Sequence, residues 1–203
     1  KASYFLFDEG RQTLLTRARS LGMNLDTHIA TGRLVVDEIE PAAFSPGEFA
    51  CRVRKSVETG GARFVVFDSL NAYIHAMPGE EYLVLQMHEL LNYLNQKGVT
   101  TLLVLGQHGV VGDVRSDIDL SYLSDGIVLF LYFEAAGEVR TALSVLKSRV
   151  NAHERAIREL RLSPIGLQVG EVLTDFMGVL SGLPTYGGDS PLLTDGSKPA
   201  ESL

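Results

Sequence analysis

Arg63-Phe64-Val65-Val66-Phe67-Asp68-Ser69 is the stretch that decides the fold. Four apolar residues in succession, closed by an acid and a hydroxyl, lack the alternation of a half-exposed strand. A short continuous apolar run is what a parallel strand covered on both faces requires. Gly60-Gly61 releases the chain into it from a helix whose start is written at Ser45-Pro46-Gly47-Glu48. That segment offers an N-cap serine, proline at the first helical position and glutamate at the third, a capping box that predicts a helix from Pro46 to about Thr59. Downstream, Leu83, Met87, Leu90, Leu91 and Leu94 share one face of a helix expected from about Glu80 to Lys97, with Gly98 ending it before a strand at Thr100 to Leu105. Upstream, the run Tyr4-Phe5-Leu6-Phe7 ends in Asp8 and Glu9. Leu14, Leu15, Ala18 and Leu21 then recur at helical spacing before Gly22, and Leu34-Val35-Val36-Asp37 reads as a short strand. Strands alternating with helices predict an α/β domain with a mainly parallel sheet and right-handed crossovers.

Beyond Gly106 the pattern changes. Gly106 to Ser116 has no apolar period and reads as a loop. Gly126 to Glu134 and Val139 to Val150 are strand-like runs joined by the turn Ala135-Ala136-Gly137-Glu138, and Arg155 to Leu162 reads as a further strand. These antiparallel strands are expected to extend the sheet. Residues 1–183 thus form one domain, and 184–203, rich in Pro, Gly, Ser and Asp, are expected to be a disordered tail. Length agrees, because 203 residues and 22.1 kDa suffice for one domain with a sizeable core. A net charge of −7, from 18 basic against 25 acidic residues, argues against a general nucleic-acid or anionic-membrane binder. The single cysteine, Cys51, excludes an internal disulfide and a cysteine-based metal site, so a reduced cytoplasm is the expected compartment. No run approaches the ~18 apolar residues of a membrane span.

An aspartate at the C-terminal end of a buried parallel strand, as at Asp68 with Ser69 beside it, is the Walker B pattern, in which the acid orients the water shell of Mg²⁺ beside a nucleotide. The same aspartate could equally cap the following helix. Asp8 and Glu9 would emerge on the same sheet edge. Hydrolysis of a γ-phosphate needs a carboxylate to orient or deprotonate water and a divalent ion to neutralise developing charge, and two such strand ends could supply both. The alternative is that Asp8-Glu9 is the acidic start of the helix at Arg11, favoured by its dipole. A third feature is the cationic stripe Arg140, Lys147, Arg149, Arg155, Arg158 and Arg161, opposed only by Glu154 and Glu159. Lys147 and Arg149, two apart on an expected strand, would point to one face and could reach a single polyanion. Salt bridges on a solvated face are the alternative, expected for at least Arg155, Arg158 and Arg161. Gln107 and His108 end the strand expected beside that of Asp68, where a polar side chain could sense a γ-phosphate.

Taken together these segments resemble the KaiC-like branch of the RecA-type ATPases. FLFDEGRQTLLTRARSLGM is similar to the segment after the first P-loop helix, FVVFDSL to the Walker B strand, and LKSRVNAHERAIREL to the stretch KxRxxxHxxxIRE. SYLSDGIVLFLYFE and GVLSGLP match as well, so the resemblance runs in order from about Ser3 to Pro184. It implies a RecA-like P-loop NTPase core, ATP with Mg²⁺ bound at subunit interfaces, and a homo-oligomeric ring, typically a hexamer. By resemblance Asp8 and Glu9 fall on the paired catalytic acids and Asp68 on the Walker B aspartate that holds Mg²⁺ through water. Lys147 and Arg149 fall on the trans-acting cations, and His153 and Arg155 on contacts to a neighbour's nucleotide. Ser121-Tyr122 falls on the Ser-Thr pair that clock members autophosphorylate; the tyrosine departs from that pattern, and Asp8 departs from the more familiar glutamate.

The phosphate-cradling signature GxxxxGK[ST] does not occur in these residues, and no Gly-Lys dipeptide does. In the family it lies about one strand and helix upstream; with Lys1 as the first residue, the expectation is that the segment was cut or left out of this chain, the alternative being a domain that lost it. The expected function is a slowly hydrolysing, Mg²⁺-dependent ATPase ring used in signalling or clock-like regulation, with a signalling protein as partner. A non-catalytic ring module and a Ser/Thr autokinase acting at Ser121 or Ser116 are the other readings; DNA recombination is disfavoured by the acidic balance.

Overall fold

A computed structural model describes residues 1–40, 43–75, 82–106, 123–135, 137–149, 151–181 and 184–188. They divide into two compact units, one of Lys1–Gly106 with Pro164–Gly166, the other of Gln107–Ser163 with Leu167–Leu203.

The first unit is the α/β half. Strands β1 (Ala2–Leu6), β2 (Leu34–Glu38), β3 (Phe64–Asp68) and β4 (Thr100–Leu103) form one sheet in the order β2-β1-β3-β4. Every pairing in it is parallel. Helices α1 (Arg11–Ser20), α2 (Leu25–Ala30), α3 (Pro46–Glu58), α4 (Leu70–His75) and α5 (Leu83–Gln96) make the connections. The capping box at α3 forms as the sequence requires: the Ser45 hydroxyl accepts from the Glu48 amide while the Glu48 carboxylate accepts from the Ser45 amide. Helix α5 starts at Leu83; Glu80, where it was expected to start, lies outside the described residues. Gly98, with φ of 66°, takes the left-handed conformation that ends this helix. The core is aromatic. Phe49 of α3 is fully buried, with ring centroids 5.6 Å from Phe5, 5.3 Å from Phe7, 5.4 Å from Phe67 and 5.1 Å from Tyr73.

The second unit holds β5 (Gly126–Ala135), β6 (Glu138–Ser148), β7 (Arg158–Ser163) and β8 (Gly166–Val172), a four-stranded sheet in that order. The pairings β5–β6 and β6–β7 are antiparallel. These strands, expected to extend the parallel sheet, hydrogen-bond among themselves as a second sheet. Gly137 makes the tight β5–β6 turn with φ of 76°. A bulge interrupts this hairpin, since Ile127 pairs with Lys147 but Val128 with Val145. Phe133, Ala135, Ala142 and Val179 form a small core beneath the sheet, with Ile157, Leu173 and Phe176 against it. The strand expected over Arg155 to Leu162 is observed as β7 but starts at Arg158, so Arg155 precedes it. The expected tail needs correction at its start: Thr185–Tyr186 form β10, paired antiparallel with β9 (Phe176–Met177). Tyr186 stacks on Phe176 at 5.4 Å, which gives these residues an apolar reason to be ordered. The loop at 107–116, the residues Gln107, His108, Ser116, Ser121 and Tyr122, and the tail from 189 onward lie outside the described residues.

Candidate active site

Parallel pairing brings the acids of the first unit together. Leu6 of β1 sits in register with Asp68 of β3 on one side and Glu38 of β2 on the other, so three neighbouring strands end at one level. Asp8 and Glu9 follow β1 by one turn of chain, and the Phe7 amide donates to the Asp68 carbonyl at 2.8 Å, continuing the ladder past the strand end. The Ser69 hydroxyl donates to Asp8 Oδ2. Asp8, Asp68 and Ser69 therefore meet at the C-terminal edge of the sheet, where open α/β sheets bind ligands. The Asp68–Ser69 peptide bond is cis.

Each acid has a distinct partner. Tyr4 donates its hydroxyl to Asp68 Oδ2. Burial, and then the bond to Asp68, push the Tyr4 phenol well above its ordinary range. Arg17 of α1 holds both oxygens of Glu9, with Nη1 at 3.0 Å from Oε2 and Nη2 in close contact with Oε1. Glu38 Oε1 accepts from the Arg11 amide at the N-terminus of α1, where a negative charge also meets the helix dipole favourably. Asp8 and Glu9 are not the acidic start of this helix, the alternative reading of them: Gly10 is the N-cap, and the first turn of α1 carries no acid. Tyr4, Arg17 and Glu38 belong to no motif visible along the chain. The signal for Tyr4 was period-two alternation, since Tyr4 pairs with Val66 and so shares a sheet face with Asp68, two residues further on. Asp37, the acid noted at the end of β2, is held by Arg52 of α3 at 2.5 Å.

The remaining candidates belong to the second unit. Lys147 lies on β6 opposite Ile127. Arg149 stands just past the end of β6; its amide donates to the Asp125 carbonyl at 2.7 Å and its Nη1 lies 3.4 Å from Asp125 Oδ1. His153 and Arg155 occupy the irregular segment between β6 and β7, His153 half-buried and Arg155 exposed. Much of the cationic stripe is engaged within the chain. Arg140 bonds Glu159 at 2.6 Å, Arg158 bonds Glu154 at 2.7 Å and the Gly170 carbonyl at 3.1 Å, and Arg161 reaches Glu159 at 3.2 Å. Arg158 and Arg161 are thus salt-bridged as expected, whereas Arg155, expected to join them, makes no ion pair among the described residues.

The donor set suits Mg²⁺ in part. Asp8, Asp68 and Ser69 offer hard oxygens only. Among the described residues no group of three or more His, Cys, Asp and Glu is arranged to hold a metal by itself. Mg²⁺ characteristically takes one or two carboxylates and completes its shell with water and phosphate oxygens, so these residues fit the ion as a partner of nucleotide.

A family model described as the KaiC ATPase matches residues 2–173. The chain belongs to the KaiC ATPase family. Similar proteins include the circadian clock protein KaiC3 of Synechocystis sp., 25% identical over 187 residues that take in 92% of this chain and 37% of that protein. The circadian clock oscillator protein KaiC of Synechococcus elongatus is 25% identical over 191 residues, 91% of this chain and 36% of that protein. KaiC of Parathermosynechococcus lividus is 23% identical over 189 residues, covering 89% and 34%. The chain spans about a third of the length of these relatives, and it has an α/β fold with a parallel sheet and an antiparallel sheet toward its C-terminus. Among the described residues no helix is long and apolar enough to cross a membrane.

Proposed function

We propose that this KaiC-family domain binds Mg-ATP at the C-terminal edge of its parallel sheet and hydrolyses it, within a homo-oligomeric ring. The observation that carries the reading is the meeting of Asp8, Asp68 and Ser69 at one edge, set by the in-register parallel pairing of β1 with β3. Asp68, with Asp8 beside it, would hold Mg²⁺, directly or through water, and the ion supplies charge neutralisation on the phosphate oxygens.

The chain's own groups do the rest. A carboxylate accepts about four hydrogen bonds, so Asp8, which takes one from Ser69, keeps lone pairs with which to orient a water and receive its proton. Glu9 shares that task once its carboxylate turns from Arg17, whose own side chain is half exposed. Lys147 and Arg149 act on a neighbouring subunit's γ-phosphate, with His153 and Arg155 beside them, which makes the ring part of the mechanism. A signalling or clock-like role follows only by analogy with the clock proteins the chain resembles.

The test uses the intact protein. Mg-ATP should raise its Tm by an amount that grows with nucleotide concentration. Asp8→Asn and Glu9→Gln should each lower turnover, the more important of the two by about 10²-fold or more. Unchanged turnover in both variants removes the paired acids from the mechanism. Absence of any nucleotide-dependent shift points instead to a ring-forming interaction module without catalysis.

A further inference from the structure

Tyr4 is placed two residues below the end of its strand, yet it contacts the acid at the end of the next one. Its strand neighbour is Val66, and side chains two apart on β3 share a face, so Val66 and Asp68 both lie on the Tyr4 side of the sheet. Two residues of parallel strand span about 6.6 Å. A tyrosine covers that distance and delivers a donor at its tip; serine and threonine are too short, and phenylalanine has nothing to donate. The hydroxyl donates to Asp68 Oδ2. A phenol bonded to a carboxylate is charge-assisted and directional.

We propose that Tyr4 is a positioning residue for Asp68: it holds one carboxylate oxygen fixed and leaves the other to the divalent cation, and in this way sets the cation affinity of the nucleotide site. The inference rests on the reading that Asp68 serves that cation. Groups that hydrogen-bond a metal-binding carboxylate restrict its rotamer before the ion arrives, and their removal weakens metal binding by about 10–100-fold. Tyr4 also competes for electron density on Asp68, which by itself would weaken the ion. The two effects predict opposite outcomes, and the fixed-rotamer effect is the larger when one oxygen stays available.

The experiment is a Mg²⁺ titration of the ADP-dependent rise in Tm of the intact protein, each variant read against its own nucleotide-free Tm. Tyr4→Phe removes one oxygen and keeps the ring; it should need about tenfold more Mg²⁺ for half the effect. Should Tyr4→Phe fold poorly, 4-methylphenylalanine at position 4, which keeps the tyrosine shape without a donor, carries the comparison: it too should need about tenfold more Mg²⁺, and a wild-type midpoint in it overturns the proposal. A merely structural Tyr4 would lower the nucleotide-free Tm and leave the midpoint unmoved, and that result overturns the proposal, as does a tighter midpoint in Tyr4→Phe. Asp68→Asn separates the two levels. If Asp68→Asn abolishes the Mg²⁺ dependence while Tyr4→Phe leaves it intact, the role of Asp68 stands and that of Tyr4 falls. If Asp68→Asn changes nothing, both fall.

Discussion

Phe49 packs together the segments that carry the edge of acids, although it has no polar atom in its side chain. It has no exposed surface and sits among Phe5, Phe7, Phe67 and Tyr73, so one side chain of α3 packs against rings from β1, β3 and α4 and from the segment leading to Asp8. Aromatic pairs at these separations add to the burial they accompany. Phe49→Ala should therefore destabilise the protein by about 3–5 kcal/mol, measured as the shift in urea unfolding at constant m-value. A loss below about 1 kcal/mol would mean that the cavity collapses without strain. Individual residues also show how far the site was legible in advance. Asp68 and Asp8 stand out because an acid closing an apolar run is visible along the chain. Tyr4 and Arg17 do not, because the first acts through strand register and the second through the reach of a guanidinium back to Glu9, eight positions before it.

At the level of elements, local chemistry and tertiary packing divide the work. Helix α3 is specified locally: Ser45 and Glu48 satisfy each other's amides, and Pro46 fills the first position without needing a donor. Ser45→Ala should cost about 1 kcal/mol, read from chemical denaturation, whereas Ser45→Asp should cost little because an aspartate caps as well. Equal losses for the two would show that the box is not what starts the helix. Strands β1, β3 and β4 were readable for a similar reason, as continuous apolar runs with turn residues at their ends. Helices α2 and α4 were not. Each has six residues, too few for a period to emerge, and α4 starts at Leu70 with only Ser69 between it and the end of β3, so no stretch of loop announces it. Strand β8 has an exposed Leu167 and Val169 alternating with Gln168 and Gly170, a weak pattern that its sheet neighbours rather than its composition stabilise.

Across the whole molecule, acid is the condition that tests most of these contacts at once. Hydrogen bonds from Arg19 hold the Asp26 carboxyl below its ordinary range, the Ser45 amide does so for Glu48, and Arg158 for Glu154. At Glu159 burial works to raise the carboxyl, but bonds from Arg140 and Arg161 outweigh it and the net direction is downward. A carboxylate whose folded pKa lies below its unfolded value contributes stability that is present above the unfolded value, near 4, and is lost as pH falls through the folded one. The unfolded chain takes up protons first, so stability should fall with acid from about pH 4 downward. Asp26, Glu48 and Glu154 are exposed, so screening leaves them little to lose. Glu159 is the exception, since its side chain is 13% exposed and it ties β6 to β7 through Arg140. Below the pI near 5.2 the chain also turns positive, and general repulsion adds to the loss. Salt separates the two causes, because it screens repulsion between distant charges more than a part-buried pair. The urea midpoint should therefore drop between neutral pH and about pH 3.5, added salt should recover only part of the drop, and Glu159→Gln should shrink the unrecovered part. An acid limb as steep in Glu159→Gln as in the wild type would place the loss elsewhere than this pair.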